Sequence, residues 1–122
     1  MIKHVTRAAL VSLTLVSLSA ADALAATVYD GGWSLTFITQ RGPGCDRSYN
    51  FSVQITNGIV SHANLVKFKG RVSRGGAVTA SVSVPGKFAS GSGRLTRTDG
   101  RGRWSGYSGK DRCSGVWTAQ KY

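Results

Sequence analysis

From Ser48 to Ile55 the chain reads SYNFSVQI, and its side chains split by parity, with Tyr49, Phe51, Val53 and Ile55 on one face and Ser48, Asn50, Ser52 and Gln54 on the other. A period of two suits a half-buried strand and does not suit a helix of 3.6 residues per turn. Thr56-Asn57-Gly58 follows. Asn-Gly is the strongest short hairpin signal, because both residues tolerate the positive φ of a type I′ turn.

The same pattern recurs along the chain. Trp33, Leu35 and Phe37 alternate with Ser34 and Thr36 until Arg41-Gly42-Pro43-Gly44 breaks the strand. Val66, Phe68 and Val72 alternate with Lys67, Lys69 and Arg71 before Ser73-Arg74-Gly75-Gly76. Val78, Ala80, Val82 and Val84 alternate with Thr79, Ser81 and Ser83 before Pro85-Gly86. A glycine-bearing strand is expected over 87–96, with Asp99-Gly100 as the next turn. Arg101, Arg103 and Ser105 then oppose Gly102, Trp104 and Gly106, and a last strand is expected over 115–120. No window combines a helical period with caps.

These readings predict a single all-β domain over 26–122, an antiparallel meander of seven or eight strands closed as an up-and-down β-barrel. Its inward positions set Gly70, Gly91, Gly93, Gly102 and Gly106 against Trp33, Phe37, Trp104 and Trp117. Alternation of small and large residues suits a narrow barrel filled by its own rings, leaving little room for a ligand.

Residues 1–25 read as a secretory signal peptide. Lys3 and Arg7 supply the positive start, Ala8–Leu18 an apolar run, and Ala23-Leu24-Ala25 a small-x-small cleavage pattern. The run is shorter than the ~20 residues that span a bilayer, and Asp22 lies just beyond it. No other stretch is apolar enough to span, so no transmembrane segment is expected after processing, and the product is expected to be periplasmic or secreted.

Export gives the two cysteines a meaning. In an oxidising compartment, Cys45 and Cys113 are expected to form a disulfide that staples a domain too small to bury much surface. Each sits beside an Asp-Arg pair, as Cys45-Asp46-Arg47 and Asp111-Arg112-Cys113, so neither arginine lacks a neighbouring carboxylate to offset it. The pattern reads as a clasp with turn chemistry around it, not as an activated thiolate.

Little else could support catalysis. The processed chain would carry one histidine, His62, four aspartates and no glutamate. There is no spaced ligand cluster for zinc, and a Ser-His-Asp triad can be drawn only with arbitrary partners. The segments GSGRL and GRGRW lack the helix and GK[ST] element of a phosphate loop. No enzyme activity and no cofactor are expected.

Charge is the stronger signal. Sixteen Lys and Arg face five Asp, and removing residues 1–25 leaves a net charge of +10. Lys67, Lys69, Arg71, Arg94, Arg101 and Arg103 fall at alternating strand positions, so they are expected to form an outward basic face that attracts anions. Outside the cell, an anionic polysaccharide, lipopolysaccharide or an acidic protein is a more accessible partner than nucleic acid.

The segments YDGGWSLTFITQRGPGCDRSYNF, NGIVSH and GSGRLTRTDGRGRWSGYSGKDRCSGVWTAQK resemble a group of short exported proteins of alphaproteobacteria, of rhizobial type, with the GxGRW…CSGxW ending as the most distinctive part. The resemblance implies a secreted small β domain with a conventional disulfide. It supplies no catalytic residue or ligand.

Three functional classes follow. The first is a non-enzymatic binding protein using the basic strand face. The second is a periplasmic hydrolase inhibitor, of protease type, that inserts the Gln40-Arg41-Gly42-Pro43-Gly44 loop into a cleft. The third is a carrier of a small apolar ligand in a pocket lined by Trp33, Trp104 and Trp117, against which the inward aromatics argue for a filled core.

Overall fold

A computed structural model describes residues 27–64 and 67–122. The proposed signal peptide lies outside these residues, as does Val66. The alternating segments become eight antiparallel strands: β1 (Gly31–Arg41), β2 (Ser48–Thr56), β3 (Ile59–Ser61), β4 (Phe68–Val72), β5 (Ala77–Val84), β6 (Lys87–Leu95), β7 (Asp99–Ser108) and β8 (Asp111–Lys121). Each strand pairs with its sequence neighbour, and β1 also pairs with β8, closing the barrel.

The hairpins follow from their turn residues. Asn57 and Gly58 both adopt positive φ, 51° and 76°, as the type I′ turn between β2 and β3 requires. The three residues of β3 are too short to show an alternation, which is why the sequence pattern left seven or eight strands open.

Two boundaries differ from the sequence expectation. Asp99 and Gly100 pair with Gln120 and Ala119, so they begin β7 and do not form the preceding turn. Cys113 lies inside β8, which starts at Asp111 and not near Gly115, because the β7 pairing runs unbroken from Ser108↔Asp111. The Cys45–Cys113 disulfide forms, with Cα atoms 6.1 Å apart, and ties the β1–β2 loop to the inner face of that strand.

The interior is unevenly filled. A short 3-10 turn, Thr27–Tyr29, adjoins the start of β1, and the buried side chains of Tyr29, Trp33, Val53, Ile55, Val72, Val78, Leu95 and Trp117 belong to the core cluster. The Trp33 indole donates to the Tyr29 carbonyl at 2.8 Å, which removes the penalty of burying its N–H. Gly93 and Gly102 are directly paired, and the Trp117 ring lies where their Cβ atoms would be. Toward the disulfide, Phe37, Phe51, Phe68 and Ala89 pack against the core but stay only partly buried. The expectation of a barrel filled throughout therefore holds for one half only.

Candidate basic face

The outward positions of β4 to β8 form cross-strand rows. In one, Arg71 pairs with Thr79, Thr79 with Ser92 and Ser92 with Arg103. In the next, Lys69 is followed by Ser81, Ser90, Ser105 and Ser114 on four successive strands, and the row ends at Arg41 on β1. A third places Arg94 directly opposite Arg101. Neighbouring strands are ~4.8 Å apart, so Lys69 and Arg71 are separated from Arg103 by roughly 14 Å of Ser and Thr hydroxyls.

Five of the six sequence-predicted cations thus share one outer surface: Lys69, Arg71, Arg94, Arg101 and Arg103, all exposed. Lys67 is exposed too, but it lies in the turn before β4 and not in the strand. Arg41 was not expected there, since strict alternation from Trp33 would point it inward. A register shift between Thr39 and Arg41 makes a bulge and pairs Arg41 with outward Ser114.

The acids are kept to the ends of strands. Asp30 precedes β1, Asp46 lies in the β1–β2 loop, and Asp99 and Asp111 are the first residues of β7 and β8. Asp99 is the acid closest to Arg101 along the same strand, and its carboxylate accepts from the Thr96 hydroxyl at 2.7 Å. Arg94 is steadied by one bond from Nη1 to the Gly75 carbonyl at 3.3 Å. Two open depressions of about 1210 and 760 Å³ share Thr79, Ser92 and Arg103, so the surface is continuous across the three rows.

The remaining candidates lie elsewhere. His62 follows β3, where its Nδ1 accepts from the Asn64 amide at 3.1 Å and its ring meets Phe51 edge-on at 5.7 Å. The Gly42-Pro43-Gly44 loop sits at the disulfide end; Gln40 and Arg41 belong to β1. Of the three tryptophans of the suggested carrier pocket, Trp33 and Trp117 are packed beside the Val53, Ile55 and Leu95 region of the core and Trp104 lies nearer the disulfide. Among the described residues, no three His, Cys, Asp or Glu side chains gather to hold a metal ion, and no helix is long and apolar enough to cross a membrane.

No protein-family model, curated protein or solved structure matches the chain, so its functional reading rests on the fold and its side chains.

Proposed function

We propose that the protein is an exported, non-enzymatic binding protein whose β4–β8 face holds an extended anionic polymer, such as an acidic polysaccharide or the sugar-phosphate region of lipopolysaccharide. The observation that carries this reading is the direct pairing of Arg94 with Arg101, next to Arg103, on a face without an acid in mid-strand. Like charges directly opposite on a sheet destabilise it, so a polymer supplying anions there relieves a repulsion that the fold leaves in place.

The chemistry between the cations favours a polymer over a folded acidic protein. Thr79, Ser81, Ser90, Ser92 and Ser105 offer hydroxyl donors and acceptors in rows, as sugar recognition needs. Protein interfaces instead rely on buried aromatic anchors, and the three rows that hold the cations carry none, the outward Phe88–Tyr107 pair lying one row beyond them toward the disulfide end. The disulfide and the proposed signal peptide agree with a site of action outside the cytoplasm.

Titrating the oxidised protein against immobilised acidic polysaccharide, lipopolysaccharide and an acidic protein tests the assignment. Salt-sensitive binding to the polymers supports it. Stoichiometric inhibition of a protease with no polymer binding would transfer the function to the Gly42-Pro43-Gly44 loop.

A further inference from the structure

The half-open end of the barrel holds a cavity separate from the basic face. Phe37 stacks on Tyr49 with ring centroids 5.4 Å apart and planes 4° from parallel, and on Phe51 at 5.2 Å and 17°. Trp104 meets Phe37 edge-on at 5.9 Å and Tyr49 at 6.3 Å. Tyr49, Phe51 and Trp104 form one side of a cup, with Phe37 packed against all three, and Val82, Val84 and Ala89 line its other side. The cup encloses about 260 Å³ and adjoins an inner apolar space of about 60 Å³ through Phe51, Val82 and Ala89.

Trp104 and Cys113 of its wall are buried, but the rest is left open. Tyr49 points into the barrel yet stays 36% exposed, whereas Trp33, four residue pairs along the same two strands, is 1% exposed. An apolar hole of roughly 150 Å³ already admits benzene, so the larger cup takes one or two fused rings. The rim is polar: Lys87 shares the inward face with its partner Val84, and Tyr49, Ser108 and Asp46 also border the opening.

We propose that this mouth binds a small aromatic carboxylate, its ring among Tyr49, Phe51 and Trp104 and its carboxylate against the Lys87 ammonium. Asp46 on the same rim bars a second negative group and selects a monoanion.

The test is a titration of the full oxidised domain with 1-naphthoate, followed by proton–nitrogen correlation spectra. The three indole N–H groups are built-in reporters, because Trp33, Trp104 and Trp117 donate to three different carbonyls, those of Tyr29, Ile38 and Ser92. The Trp104 signal and the Val82, Val84 and Ala89 amides should shift together with a Kd between about 0.05 and 1 mM, while the Trp33 signal stays still. Lys87→Gln, an exposed change that leaves the packing alone, should weaken naphthoate about tenfold and leave 1-naphthol unchanged. Ala89→Leu should abolish both. Absence of shifts in the wild-type protein, shifts centred on Trp33, or naphthol binding more tightly than naphthoate would overturn the assignment; so would Lys87→Gln binding naphthoate as the wild type does.

Discussion

Arg94 on β6 and Arg101 on β7 face each other as a direct cross-strand pair on the outside of the barrel. Two guanidinium groups in that register repel by a few tenths of a kcal/mol or more, and salt screens the repulsion. Arg101→Gln should therefore raise the unfolding free energy by about 0.2–1 kcal/mol at low ionic strength, and by less in ~0.5 M salt. Urea melts at the two ionic strengths measure both values. A destabilised variant would mean that the pair is held by contacts other than those described.

The Gly93–Gly102 pair gives Trp117 its place. A Cβ at either glycine would stand 2.6 Å from the indole and closer still to a neighbouring backbone carbonyl, so strands or ring must move. Overpacking of this kind costs about 1–3 kcal/mol, and Gly93→Ala or Gly102→Ala should lower stability by that amount. Gly75→Ala is the matched control, since nothing lies within 4 Å of its Cβ position, and it should stay within ~0.5 kcal/mol of the wild type.

The Cys45–Cys113 bridge spans 68 residues, and closing a loop of that length in the unfolded chain stabilises the native state by about 4 kcal/mol. For a domain of this size that is a large share of total stability. The double Cys45→Ser, Cys113→Ser variant should melt far below the oxidised protein, and the reduced wild type should melt near the variant. Equal melting temperatures for oxidised and reduced protein would contradict the account.

Tyr49 should report the mouth through its ionisation. Burial holds its phenol above the ordinary tyrosine value of 10.0, and the Asp46 carboxylate pushes in the same direction. A folded-state pKa above the unfolded one means that Tyr49 costs no stability below pH 10, and that stability falls as pH rises through the folded pKa. The absorbance titration of wild type minus Tyr49→Phe should have its midpoint above 10.0, and the variant should lose less stability in that range. A difference midpoint at or below 10.0 would contradict the burial of this ring.

Much of the barrel is legible in residue parity. Tyr49, Phe51, Val53 and Ile55 face inward as SYNFSVQI implies, and Lys69, Arg71, Arg101 and Arg103 face outward by the same rule, because a period of two decides the face once a strand is assigned. What parity cannot supply is a change of phase. The bulge beyond Thr39 turns Arg41 outward and adds it to the serine row, yet Gln40-Arg41 carries no residue that marks a bulge. Short pairing is equally hidden: Ile59–Ser61 is a strand because β2 and β4 flank it, not because of its own pattern. Phe88 belongs outside, stacked on Tyr107 at 5.9 Å, though its bulk suggests the core. The open mouth is illegible for a different reason, since how far Val82 and Ala89 fall short of filling the barrel depends on its radius.

The proposed function places binding on one face and not on net charge. The direct test compares two triple variants carrying the same charge loss across a salt series of about 20–500 mM against immobilised acidic polysaccharide. One changes Arg71, Arg101 and Arg103 to Gln, and the other changes Arg47, Lys110 and Lys121, which lie in the β1–β2 loop, the β7–β8 turn and the last position of β8. Wild-type binding should weaken steeply with salt, with the face variant weaker by about tenfold or more at low salt and the control variant within about threefold of wild type. Equal losses in the two variants, or no wild-type binding at low salt, would contradict it.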